Sequence, residues 1–149
     1  MTLANWAARR DPSVDRAKQK LATMRISETG HGAKVPWPFQ DRSIIKSKHT
    51  NREINDAIRK APIVSMDLDD DALCSLQHSV KAPHVSFYLE HPDARQEGHL
   101  NPKSKTPDDY PIVIQQDGKK VLWDGNHRMT ALYLLGRDKA EVRFVNFDT

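Results

Sequence analysis

The chain has 149 residues, 38% of them hydrophobic and 29% charged, with a formal net charge of +3, a balance that suits one globular domain with a real core. No apolar run approaches the ~20 residues that a membrane helix requires, so no membrane partner is expected. The single cysteine, Cys74, rules out an internal disulfide and fits a cytoplasmic protein. Charge is unevenly spread. Residues 1–60 hold 13 Lys and Arg against 6 Asp and Glu, whereas residues 61–110 hold 4 against 9. A basic N-terminal region suits DNA, RNA or an acidic protein, and equally a solvated helical surface.

In chain order, Pro12-Ser13-Val14-Asp15 opens a helix along which Val14, Ala17, Leu21 and Met24 recur at helical spacing. Gly30-His31-Gly32 breaks it. Val35-Pro36-Trp37-Pro38-Phe39 reads as an extended segment, because its two prolines exclude regular helix. Trp37 and Phe39 either anchor that segment to the body or face a partner. Thr50 with Glu53 forms a capping box ahead of Ile54, Ala57 and Ile58, and Pro62 ends that helix. Ile63 to Leu68 reads as a strand, and Asp69-Asp70-Asp71 as a loop leading into a helix start. Pro83 to Glu90 predicts a short helix with Val85, Tyr88 and Leu89 inward. The polar stretch 91–109 reads as a lid, a binding loop or a disordered segment. Pro111 to Ile114 and Lys120 to Trp123 are two strands joined by an Asp117-Gly118 hairpin turn. A helix then runs to Leu135, with Leu132 and Leu135 inward and Gly136 as its terminator, and Val142, Phe144 and Val145 mark a last strand.

The segment with the most chemistry is Asp124-Gly125-Asn126-His127-Arg128. It lies where a strand gives way to a helix, whose first amides lack internal acceptors and face the positive end of the dipole. That is an anion site in outline. Gly125 has no Cβ to hold a phosphate away from the backbone. His127 and Arg128 add side-chain donors, and a guanidinium can grip two phosphate oxygens. Asp124 is placed to orient His127, to ligate a metal, or to cap the helix. The phosphate-binding set is therefore Gly125, Asn126, His127 and Arg128, and the catalytic set Asp124, His127 and Arg128. His127 is expected to stabilise charge or to move a proton, a role suited to a group that titrates near neutrality.

The run PIVIQQDGKKVLWDGNHRMTALYLLG, followed by AEVRFV, resembles the ParB/sulfiredoxin-like superfamily in its DGHHR-type variant. Gly125 and Arg128 match the glycine and arginine of the family's turn, and His127 matches its histidine. VSMDLDDDALCSLQHSVKAPHVSFYL resembles the family's first strand, linking loop and first helix, with Gln77 at the position of a loop glutamine. The resemblance covers roughly residues 62–147. It implies an α+β fold with a small mixed sheet and packed helices over residues 61–149; the charge and helical spacing of residues 1–60 read as a basic helical arm ahead of it. It further implies a nucleotide or phosphodiester as ligand, ATP or CTP with Mg2+ as cofactor, and nuclease, NTPase or phosphotransferase chemistry. Gln77, His78 and Ser79 would face the substrate. The rival reading is a nucleic-acid or protein-binding module without turnover. Two departures narrow the implication. Asn126 stands where sulfiredoxins carry a reactive cysteine, so sulfinic-acid reduction is not expected, and no helix-turn-helix segment follows, so partition-clamp activity is not expected. Serine-kinase relatives need a further catalytic acid, for which Asp67, Asp69 and Glu90 are the candidates.

Overall fold

The computed structural model describes residues 12–26, 31–91 and 110–148; the polar stretch read as a lid falls almost wholly outside them. Five helices occur in this part: α1 (Pro12–Thr23), α2 (Ser43–Lys46), α3 (Asn51–Lys60), α4 (Ala82–Glu90) and α5 (Asn126–Leu134). Seven strands accompany them: β1 (Gly32–Lys34), β2 (Ile63–Asp67), β3 (Leu73–Ser75), β4 (Ser79–Lys81), β5 (Ile112–Gln116), β6 (Lys119–Asp124) and β7 (Lys139–Asn146). β1 and β4 form a small antiparallel pair. The other five build a mixed sheet in the order β2-β7-β5-β6-β3. In it β2/β7 and β5/β6 are antiparallel, while β7/β5 and β6/β3 are parallel. The class is thus α+β, as expected.

At the centre of the sheet β5 opens on an unbroken apolar run, Ile112-Val113-Ile114, because both faces of the sheet are covered there. Neighbouring residues serve opposite sides. Val113 and Leu122 join a core with α1, α4 and α5, whereas Ile112, Ile114 and Val121 join a second core with α2 and α3. The helices of residues 12–60 therefore contribute to both cores: Ala17 and Leu21 to the first, Ile45, Ile54 and Ile58 to the second. Trp37 is buried with them, and its Nε1–H donates to the Leu68 carbonyl at 2.8 Å.

Local signals explain the termini of the elements. Thr50 Oγ1 accepts from the Glu53 amide at 3.2 Å, and Glu53 Oε1 accepts from the Thr50 amide at 3.2 Å, completing the capping box. At the other end of α3 the buried Arg143 guanidinium of β7 donates to the carbonyls of Ile58 and Ala61, where a cation complements the helix dipole. Thr50→Ala is expected to lose about 1 kcal/mol, read as a lowered urea midpoint with unchanged slope. A change indistinguishable from zero would mean that Arg143 and core packing alone hold α3. α5 ends in a Schellman arrangement: Gly136 sits at φ +79°, its amide donates to Tyr133 O, and the Arg137 amide donates to Leu132 O.

One expectation needs correction. Asp69-Asp70-Asp71 does not lead into a helix; it turns into β3. The reason lies in Asp70, which accepts the Ala72 amide at 2.9 Å and pairs with Lys120 of β6. The carboxylate thus closes a turn and pins a strand instead of starting a helix.

Candidate functional site

β6 runs out at the sheet's C-terminal corner, where its pairing with β5 slips. Ile112 faces Asp124 but Val113 faces Leu122, which leaves Trp123 as the extra residue of a bulge. The bulge bends the strand end into the Asp124–Arg128 turn. Gly125 is the residue before α5 and adopts φ +93°, ψ +23°. This left-handed conformation carries no penalty for glycine. A Cβ added here would meet Pro111 Cβ at 2.9 Å and Pro111 Cα at 3.0 Å. The missing Cβ therefore makes room for the start of β5, not for a phosphate, which corrects the reason given for this glycine from sequence.

The Met129 amide donates to Gly125 O at 2.9 Å as the first bond of α5. The amides of Asn126, His127 and Arg128 hence lack an acceptor within the helix. The Gly125 amide donates to Asp124 Oδ1 at 2.9 Å. Asn126 turns inward and is 5% exposed. Its Oδ1 accepts from Ser75 Oγ at 2.5 Å, and its Nδ2 donates to Leu122 O at 3.5 Å. Its side chain therefore braces the helix start against β3 and β6.

His127 is half-buried, and its Nε2 accepts the Lys81 amide at 3.1 Å, across from the end of β4. A backbone N–H can only donate, so this bond requires a bare Nε2 and leaves the proton on Nδ1. Burial lowers the His127 pKa first, followed by the positive charges of His84 and Lys81, with Asp124 opposing. The ring of His84 lies 5.1 Å from that of His127. Geometry and electrostatics both hold the imidazole neutral, as a fixed donor. Arg128 is 5% exposed, and its guanidinium carbon lies 5.8 Å from the Tyr88 ring centre on α4, within cation–π range.

The residues expected on the substrate side are spread out. Gln77 is exposed, and its amide donates to Ser75 Oγ at 3.0 Å. His78 stacks on Phe39 with ring centres 3.8 Å apart. Ser79 begins β4 and pairs with Lys34. Among the described contacts, none joins these three side chains to Asp124–Arg128. Of the other candidate acids, Asp67 sits near Lys139 at 3.6 Å, on the opposite edge of the sheet from β3, and Glu90 pairs with Lys18. The described residues contain no group of three or more His, Cys, Asp or Glu that could hold a metal ion.

Sequence reasoning missed Ser75, the Lys81 amide and His84. Ser75 carried one local signal, a serine two residues before an amide that it accepts in a tight turn. The other two are brought in by tertiary pairing. Compared with known proteins, the chain matches no family model, no curated protein and no solved structure.

Proposed function

We propose that the chain is a ParB/sulfiredoxin-like domain that binds a nucleotide or another phosphate ester at the start of α5, and that it holds this ligand without turning it over. The observation that carries the reading is the disposition of donors at one corner. The amides of Asn126 and His127, which open α5 and have no acceptor within the helix, stand beside a neutral imidazole whose Nε2 is fixed by Lys81, leaving Nδ1–H to donate. Arg128 adds a positive charge in the same turn. The resemblance of the DGNHR run supports the family part of the reading, and the five-stranded mixed sheet is compatible with it. Binding is favoured over catalysis because both expected acid–base groups are engaged by backbone amides, Asp124 by Gly125 and His127 by Lys81.

Thermal melting with inorganic phosphate, ATP and CTP, each with and without Mg2+, tests this. A ligand at one hundred times its Kd stabilises by about 2.7 kcal/mol. His127→Ala removes one hydrogen bond to a charged group and is expected to weaken binding roughly tenfold or more. No shift with any of these ligands, or the same affinity in the His127 variant, rejects the reading. ATP or CTP hydrolysis at a rate abolished by His127→Ala would reject the part that denies turnover.

A further inference from the structure

His84 stands beside the phosphate corner, on a helix start that the fold fixes there. α4 opens at Ala82, directly after β4. The Ala82 amide donates to His31 O at 2.8 Å, and the Lys81 amide is the one that His127 Nε2 accepts. Ala82, Val85 and Leu89 are buried in the first core together with Met129 and Leu132 of α5. One stripe of α4 therefore looks at the start of α5. Residues one turn apart on that stripe meet consecutive residues of α5. The His84 ring centre lies 5.1 Å from that of His127, and the Tyr88 ring centre 5.8 Å from the Arg128 guanidinium carbon. The two imidazoles are inclined by 56° and leave no room for another side chain between them. His127 is half-buried, whereas His84 is exposed.

Charge decides what such a pair can hold. Among the described residues, the groups whose charge acts on His127 are His84 and Lys81 as cations and Asp124 as the acid. Lys81 and Asp124 offset each other. Lys18 of α1, which also packs along α4, pairs with Glu90 at the other end of that helix. His127 itself stays neutral, because the Lys81 amide needs a bare Nε2. His84 is thus the group beside His127 that can take up a proton and add a full positive charge. A phosphodiester carries a single charge and has two free oxygens. A terminal phosphate carries about −1.5 to −2 at pH 7 and offers three acceptor oxygens. A protonated imidazole next to a neutral one answers that additional charge and that additional oxygen.

We propose that the corner takes the terminal phosphate of a monoester, and that His84, donating beside His127, selects this dianion over a phosphodiester. The inference rests on the phosphate reading of the α5 start and adds to it the class of ligand and the residue that distinguishes it. Inorganic phosphate and the outermost phosphate of a nucleotide both qualify. An internal linkage of a nucleic-acid strand does not.

Amide chemical shifts of the full chain, followed during titration with methyl phosphate and with dimethyl phosphate at about pH 7 and low salt, measure it. The two ligands share a core and differ in charge. Wild type is expected to bind methyl phosphate roughly tenfold more tightly or better, with the Asn126 and His127 amides responding. His84→Gln removes a hydrogen bond to a charged group, so its affinity for methyl phosphate should fall roughly tenfold or more and the preference should vanish. His84→Lys keeps a cation at the position and is expected to keep the preference. Because His84 is exposed, both variants are expected to melt as wild type does. His127→Ala, by contrast, should weaken both ligands. Equal affinity of wild type for the two ligands overturns the proposal and leaves the phosphate reading standing. So does a His84→Gln variant that prefers methyl phosphate as strongly as wild type. Silence of the Asn126 and His127 amides with both ligands overturns the phosphate reading and this proposal together.

Discussion

Gly125→Ala is expected to lower the stability of the protein by about 3 kcal/mol in an equilibrium urea titration. Two costs combine in that figure. An L-residue at φ +93° has its Cβ too near the following carbonyl, which costs roughly 1–2 kcal/mol. The new methyl also meets Pro111 at 2.9 Å, and the atoms in contact are a ring carbon and the backbone Cα, neither of which can swing aside. Overpacking of this kind costs about 1–3 kcal/mol. Gly118→Ala supplies the internal comparison. Its φ is +76°, but a Cβ there would meet nothing within 4 Å. It should show the conformational cost alone, about 1–2 kcal/mol. Equal losses at the two glycines would show that Pro111 yields and that the turn is not tightly packed.

Asn126→Ala should cost about 2–3 kcal/mol. The side chain is buried and stands between Ser75 Oγ and Leu122 O. Alanine leaves the Ser75 hydroxyl without its acceptor, leaves the Leu122 carbonyl short of a donor, and opens a small cavity. Ser75→Ala removes the other half of the same bond, but also the acceptor for the Gln77 amide. The two changes should therefore not add. A double-mutant cycle is expected to give a coupling of about 1 kcal/mol, and additivity within about 0.3 kcal/mol would show that the Ser75–Asn126 bond carries nothing. If the bond does set the start of α5, Asn126→Ala should also weaken phosphate binding without touching a ligand itself.

What could be read from the sequence is what is decided within a few residues. The Thr50–Glu53 capping box, the Asp117-Gly118 turn and the Gly136 terminator each need only their own neighbours, and each is present. The run from β5 to β7 was legible for the same reason. β3 and β4 were not. Each has three residues, too few to show a period, and β3 pairs with β6 across some fifty positions of chain. The acidic run before β3 misled, because a carboxylate that closes a turn and one that begins a helix look alike until Lys120 is placed beside Asp70. At the corner itself the residue types pointed to an anion site, but their orientations were hidden. Nothing local announces that Asn126 turns inward to Ser75, that Gly125 makes room for Pro111, or that an amide from β4 fixes the tautomer of His127.

The strand order also constrains how the chain is made. β2 and β3 come first among the five strands, yet their sheet partners are β7 and β6, translated dozens of residues later. As the polypeptide emerges from the ribosome, β2 waits without its sheet partner and β3 has only the 38–40 segment beside it, while their receiving templates arrive together with β5 in the segment 112–146. A hairpin that closes quickly there sets the moment at which everything upstream can commit.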